Sequence, residues 1–329
     1  MIISRTPFRL SLLGGGTDYP QWFLKNGGEV LAGAIDKYCY LTLRWLPPFF
    51  EHRHRIVYSQ VENTMTSIEI QHPAVRAAIN RLDLDDGIEL HHDGDLPARS
   101  GIGSSAAFAV GLLHAGHRLK GEHIDPWALA HEAIDLEVND LQETTGLQDQ
   151  LTCALGGFHH LKFEKTGSIA SERSQRMSRA LPELNEWLVL LYSGVQRSSH
   201  QVSQTLVESF QSKDELLNEL QSLVGVGRDC VERGDVDGMV ELGRLMHRSW
   251  EIKDQLNPAA VSPRLRLLYD AAREAGAVGG KVSGAGGGGF MVFVVPPERR
   301  SSFIQNMRGQ ALHVPFKFVD HGSQIIYEG

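Results

Sequence analysis

The sequence predicts an α+β protein built from two domains, and three observations carry that expectation. Its 329 residues exceed the size of one typical small domain. Segments with strand-like alternation and segments with helical spacing are interspersed along it, with no internal repeat. Around Leu181–Glu186 the texture changes, which sets the boundary near residue 180 and divides the chain into 1–180 and 181–329. Apolar residues at 42% and charged residues at 22% are those of an ordinary globular protein.

Taken in order, residues 1–13 alternate as a strand does and lead into Gly14-Gly15-Gly16-Thr17-Asp18-Tyr19-Pro20. Those glycines allow a tight turn and close approach of a ligand. Residues 28–46, rich in β-branched and aromatic side chains, predict two strands ending at Pro47-Pro48. His52 and His54 would share one face of a strand over Glu51–Tyr58. With no third ligand in view, that pair reads as part of a solvated strand and not as a metal site. The adjacent pairs His91-His92 and His159-His160 would point to opposite faces and receive the same reading. Pro73–Leu82 predicts a short helix and Gly87–His92 a strand. Asp125-Pro126 is an N-cap with proline at the first helical position, and Phe158–Phe163 predicts the strand that closes the first unit. Beyond the boundary, Trp187–Tyr192 is an apolar strand. Helical segments follow from about Gln201 to Arg233, from Val236 to Lys253 and over Arg264–Ala275. Strands at Phe290–Val295 and Ile325–Tyr327 end the chain.

The chemistry centres on Leu96–Ala107. A turn signal, Asp93-Gly94-Asp95, and Pro97 precede it, and the apolar run Phe108–Leu119 follows with the spacing of a buried helix. Gly101 and Gly103 permit backbone conformations that a side chain would forbid. Ser104 and Ser105 open the helix, where free N–H groups and the positive end of the dipole favour an anion. The physics points to phosphate, and a hydroxyl at the helix start could ligate the magnesium that accompanies a nucleotide. The Walker sequence is absent. Gly101-x-Gly103-x-x-Ala106 does not follow directly on a strand, and Gly284-x-Gly286-x-x-Gly289 runs into a strand, so neither is a dinucleotide fingerprint.

Two carboxylates complete the pattern. Ala130, Ala133, Ile134, Glu137 and Leu141 fall on one helical face, which puts Glu137 on an apolar stripe. A carboxylate there is either paired with an arginine or a metal ligand. Twelve residues further on, after the helix-breaking Gly146, comes Asp149. One carboxylate for metal and one as base are the minimum for phosphoryl transfer. Net charge −8 argues against a nucleic-acid partner and requires local basic residues for an anionic substrate. Cys39, Cys153 and Cys230 form neither a disulfide framework nor a zinc ribbon. No signal core or membrane-spanning run is present, and the expectation is a cytoplasmic protein acting on small molecules. Whether it forms a homo-oligomer is left open.

Three stretches in this order resemble the signature motifs of the galactokinase, homoserine kinase, mevalonate kinase and phosphomevalonate kinase (GHMP) superfamily. They are Thr6-Pro7-Phe8-Arg9 through Asp18, Pro97 through Ala107, and Lys281 through Gly289. The resemblance implies a first domain like the second domain of ribosomal protein S5, a ferredoxin-like second domain, and a cleft between them for ATP and magnesium. It assigns Pro97, Arg99, Ser100, Gly101, Ile102, Gly103, Ser104 and Ser105 to the nucleotide, and Ser105 with Glu137 to magnesium. Asp149 would accept or orient the substrate hydroxyl. Arg9 would keep Asp149 ionised and stabilise transferred charge, since a neighbouring cation lowers a carboxylate's pKa by roughly 1–3 units.

The first motif separates members of the superfamily. Galactokinases carry Gly-Glu-His-Thr-Asp and fucokinases Gly-Gly-Trp-Thr-Asp where this chain has Gly14-Gly15-Gly16-Thr17-Asp18. That motif resembles most the D-glycero-D-manno-heptose 7-phosphate kinases, as do Gly146-Leu147-Gln148-Asp149-Gln150, Trp250 with Lys253, and the Lys281–Gly289 stretch. The resemblance implies phosphorylation of the anomeric C1 hydroxyl, toward nucleotide-activated heptose for surface polysaccharide. Substrate contacts would come from Gly15, Gly16, Thr17, Asp18, Arg197, Lys253, Lys281, Ser283, Gly284 and Gly286, with Arg197 and Lys253 foremost for the distal phosphate. A kinase of an unphosphorylated sugar and a non-catalytic sugar and ATP sensor are the alternatives.

Overall fold

The computed structural model describes residues 1–195, 205, 207–208, 210, 213–258, 261–284, 286 and 288–329. The first sheet grows from two long strands, β1 (Ile2–Leu13) and β2 (Gly28–Trp45), paired antiparallel from Ile2↔Leu43 to Leu13↔Leu31. The sequence predicts two strands where β2 runs unbroken. Its two halves have different neighbours: Gly28–Gly33 pairs with β6 (Phe158–Phe163), and Cys39–Trp45 pairs with β5 (Ile88–Gly94). Irregularities at Pro7/Arg9 and Ser11/Leu13 of β1 let the pair twist without a break.

β3 (His54–Val57) joins β5 in parallel and carries β4 (Val61–Thr64) on its far side, while β7 (Ile169–Glu172) extends β6. Of the histidines expected to be solvated, His52, His91 and His92 keep partial exposure, whereas His54, His159 and His160 do not. His54 is buried and accepts the Ile88 N–H at 3.4 Å. His159 and His160 are both buried, because five of the six residues of β6 are covered. His160 lies 2.6 Å from Glu29, and His159 bonds Ser171 at 2.7 Å.

Helices α1 (Pro20–Asn26), α2 (Pro73–Leu82), α3 (Ser104–Leu119), α4 (Pro126–Asp135) and α5 (Gln148–Leu155) belong to this first unit. α3 lies across β1 and β2 with its small residues inward, and Ser4 Oγ donates to the Gly111 carbonyl at 2.9 Å. Helix α6 (Gln175–Trp187) leads into a second sheet, and residue 180, where the sequence sets the boundary, lies inside it. That sheet is antiparallel, in the order β11 (Leu312–Val314), β8 (Leu188–Tyr192), β10 (Phe290–Val294), β9 (Gly279–Val282). Helices α7 (Asp214–Arg233), α8 (Val236–Leu256), α9 (Pro263–Glu274) and α10 (Pro297–Met307) accompany it. The last strand, β12 (Gln324–Glu328), returns to the first sheet and pairs with β1. A cut of the chain at one point therefore does not separate the two sheets. Among the described residues no helix is long and apolar enough to cross a membrane.

Candidate active site

The loop before α3 alternates between left-handed and ordinary backbone. Arg99, Gly101 and Gly103 have φ of 58°, 81° and 72°. A Cβ on Gly101 would lie 2.4 Å from the Ser283 carbonyl oxygen, so glycine is required there for packing as well as conformation. Arg99 is the non-glycine residue among these, a strained position of the kind that collects at ligand sites. Ser104 Oγ accepts the Arg99 N–H at 3.2 Å and closes the loop, while Ser105 stays exposed at the helix start. Ser100 turns inward, donating to the Pro97 carbonyl at 2.6 Å, and Ile102 is core. Both shape the loop and do not line the pocket below it.

Arg9, on β1, reaches under the loop. Its Nε and Nη2 donate to the two carboxylate oxygens of Asp149 at 2.6 and 2.5 Å, and Nη1 donates to the Gly101 carbonyl at 2.6 Å. The guanidinium is buried, which opposes its charge, yet the Asp149 carboxylate outweighs that and holds it more firmly protonated than usual. Asp149 sits in the first turn of α5 with its side chain 20% exposed to the pocket.

Glu137 departs from the expected continuous helical stripe. α4 stops at Asp135, and a wider π-turn, Leu136–Asp140, carries Glu137 inward. The carboxyl accepts from Gln150 Nε2 and hydrogen-bonds Ser105, and among the described residues no arginine or lysine pairs with it. The ion-pair alternative is therefore not found. Burial pushes this carboxyl up to about 8. A buried carboxylate with only neutral partners, joined to a hydroxyl at the mouth of an anion-binding helix, is a donor set that suits magnesium. That ion commonly takes one or two carboxylates and completes its shell with substrate phosphates and water. No cluster of three His, Cys, Asp or Glu side chains that could hold a metal ion occurs among the described residues.

The opposite wall comes from the first glycine-rich loop and the second sheet's elements. Thr17 is fully buried and donates to the Gly14 and Glu29 carbonyls, both at 2.9 Å, so it braces the loop and contacts nothing in the pocket. Asp18 accepts from the Gly16 N–H at 2.9 Å and from the backbone and side-chain amides of Gln148 at 3.3 and 2.9 Å. Burial raises its pKa. Lys253, on α8, donates to the Gly284 carbonyl at 2.9 Å and faces the pocket, its amine pushed down to about 8 by burial. Lys281, expected at the substrate, is fully buried and donates to the Ser11 carbonyl at 2.9 Å, with burial driving its amine well below the ordinary range. Ser283 is also buried, bonding the Gly101 carbonyl at 2.7 Å. These two residues join the sheets and do not line the pocket, and Gly286 is likewise absent from its wall. Arg197 lies outside the described residues.

The result is one pocket of about 350 Å³. Of the residues singled out in the sequence, it brings together Arg9, Gly15, Gly16, Asp18, Arg99, Gly101, Gly103, Ser104, Ser105, Asp149, Lys253 and Gly284. Its further lining includes Ser11, Tyr19, Glu143, Thr144, Thr145, Gly146 and Gln148, which sequence reasoning missed. Ser11 was within reach, since it lies two residues from Arg9 on an alternating strand and so faces the same way.

An anion-binding helix start set beside a carboxylate that opens on a polar pocket is the arrangement a phosphotransferase needs. The comparisons with known proteins narrow that class. The description "GHMP kinases N terminal domain" matches residues 70–157 and "GHMP kinases C terminal" matches residues 233–312, together slightly more than half of the chain. The chain belongs to the GHMP kinase family and is an enzyme of that ATP-dependent group. It is 26% identical to D-glycero-alpha-D-manno-heptose 7-phosphate kinase of Campylobacter jejuni subsp. jejuni serotype O:2, over 98% of this chain and 97% of that one. It is 31% identical to the mevalonate kinase of Thermococcus sibiricus, over 69% of this chain and 66% of the relative. The crystal structure of a D-glycero-D-manno-heptose 1-phosphate kinase from Bacteroides thetaiotaomicron shares the fold, with a TM-score of 0.81, 24% identity and full coverage of both chains.

Proposed function

We propose that this kinase transfers the γ-phosphoryl group of ATP to the anomeric C1 hydroxyl of D-glycero-D-manno-heptose 7-phosphate, giving the 1,7-bisphosphate. The observation that carries the reading is the Arg9–Asp149 pair opening on a pocket whose first loop is all glycine at Gly14–Gly16, in a chain that aligns end to end with a heptose 7-phosphate kinase. The loop Gly101–Ser105 and the start of α3 receive the ATP phosphates through backbone N–H groups. Asp149 holds the acceptor hydroxyl in line and takes its proton, and Arg9 keeps the carboxylate ionised while countering the charge that develops. Ser105 and Glu137 would hold magnesium, which supplies further countercharge on the phosphates. Lys253 and Arg99 line the pocket without a carboxylate partner among the described residues, and Lys253, on the wall opposite the phosphate loop, is assigned with Arg197 to the acceptor's anionic end.

A coupled ADP-release assay tests this with heptose 7-phosphate, unphosphorylated heptose, fucose, mannose, galactose and mevalonate. Heptose 7-phosphate is expected to give the highest kcat/KM. A higher value for an unphosphorylated sugar would move the assignment to that sugar, and release with none of the sugars would leave a binding protein.

A further inference from the structure

Glu137 sits on a backbone irregularity, and that irregularity needs something to hold it. In the turn Leu136–Asp140 the Leu141 N–H donates to the Leu136 carbonyl at 3.0 Å, a bond that spans five residues. The Glu143 N–H donates to the Glu137 carbonyl at 2.9 Å. Such wide turns are rare inside α-helices and frequent at functional sites. Gln142 follows with φ of 54°, a strained value for a non-glycine residue that persists only where the surroundings impose it. Glu143, Thr144, Thr145 and Gly146, which line the pocket, come directly after.

The bracing comes from outside the pocket. Arg81, in the last turn of α2, donates from Nε to Asp140 Oδ2 at 2.8 Å and from Nη2 to Asp135 Oδ2 at 2.6 Å. Asp135 ends α4 and Asp140 ends the π-turn. Residues five apart on a regular α-helix lie about 140° apart around its axis, too far for one guanidinium to bridge. In a turn closed by a five-residue bond they stand one above the other, and the Arg81 fork fits both. Asn139 Nδ2 donates to the other Asp135 oxygen, and Gln142 Nε2 donates to the Asn139 carbonyl at 2.5 Å. The side chains of Arg81, Asp135 and Asp140 are 22%, 44% and 35% exposed. Ion pairs so exposed add little to overall stability, but they can decide between two registers of one turn.

Resting on the assignment of Glu137 to magnesium above, we infer that Arg81 is a positioning residue for the metal site. By bridging Asp135 and Asp140 it keeps the turn in its π register, and that register sets the Glu137 carboxyl against Ser105 and Gln150. Arg81 is not part of the pocket wall and acts through Glu137. A lysine in its place, with one nitrogen, would hold one aspartate at a time and do this only in part.

The test titrates manganese(II), which favours the same oxygen ligands as magnesium, into enzyme with ADP and no sugar, read by electron paramagnetic resonance. The proteins are the wild type, Arg81→Met, Arg81→Lys, Asp140→Asn and Glu137→Gln. Glu137→Gln should weaken manganese most. Arg81→Met should weaken it by about three- to tenfold, less than the roughly 10–100-fold usual for a group bonded directly to a ligand. Arg81→Lys and Asp140→Asn should fall between Arg81→Met and the wild type. In EDTA, amide hydrogens of residues 141–147 should exchange faster in Arg81→Met, while the rest of the protein and the urea midpoint stay near the wild type. Turnover of Arg81→Met should need more magnesium and approach the wild-type kcat once magnesium saturates. Wild-type manganese affinity in Arg81→Met, with Glu137→Gln weakened, overturns the inference alone. So does a loss matched by faster exchange throughout and a lower urea midpoint, which is a structural role only. Wild-type affinity in Glu137→Gln removes the magnesium assignment and the inference with it, whichever sugar is the acceptor. Arg81→Lys carries the same criterion should Arg81→Met fail to fold.

Discussion

Breaking the Arg9–Asp149 pair should separate its electrostatic work from its part in holding the fold. Arg9 is 3% exposed and gives two of its three side-chain hydrogen bonds, at 2.6 and 2.5 Å, to Asp149. Asp149→Asn keeps the shape but turns an N–H group toward the guanidinium and removes the countercharge. Breaking a buried pair costs about 3–5 kcal/mol, and the 20% exposure of the Asp149 side chain puts this case near the lower figure. The third hydrogen bond, to the Gly101 carbonyl, survives and holds Arg9 in place. Turnover should fall by about 10²–10⁴, roughly 3–5 kcal/mol in barrier height. Urea unfolding and ADP release on Asp149→Asn, Arg9→Met and the double variant Arg9→Met/Asp149→Leu would show both effects. The double variant, an apolar pair of similar size, should regain most of the lost stability and none of the activity. Turnover of Asp149→Asn near that of the wild type would rule out the role given to the carboxylate, as would a double variant with recovered activity.

The titrating groups give two more expectations. Without magnesium, in EDTA, Glu137 holds its proton up to about pH 8 while the unfolded chain loses it near 4.5, so stability should decline as pH rises between those values. Glu137→Gln should flatten that decline and need far more magnesium for turnover; an unchanged slope and magnesium dependence would contradict the assignment. At pH 8 about half of Lys253 is free amine against roughly 1% or less of an ordinary exposed lysine, so an amine-acylating reagent mapped by mass spectrometry should label Lys253 first. ATP with the acceptor sugar should protect it, and labelling no faster than surface lysines would count against its place in the pocket.

Much of this site was legible in the residues themselves. Gly101, Gly103 and the two serines announce an anion-binding helix start because each does something other residues do poorly there. Asp149, in the segment after the glycine break, was equally plain. Glu137 was found for a partly wrong reason: counting by 3.6 carries a helix past Asp135, and no periodicity foretells that the next turn widens. Lys281 shows another limit. Its neighbours Gly279, Gly280 and Val282 are all buried, and close packing by glycine was the signal that the lysine lay inside a sheet and not over a substrate. His54 and His160 misled through composition, since burial on both faces of a strand depends on what covers it. Gln148 stood beside Asp149 in the sequence, but its partner Asp18 is 130 positions away, a relation that spacing cannot express.

Everything proposed for this pocket turns on which atom receives the phosphoryl group. Heptose 7-phosphate incubated with ATP, magnesium and the enzyme, followed by phosphorus and proton NMR, reads this directly. A second phosphorus signal coupled to the anomeric proton is expected, appearing in step with ADP and absent with Asp149→Asn. A new phosphate coupled to any other ring proton, or ADP formed with no new sugar phosphate, would show the C1 assignment to be wrong.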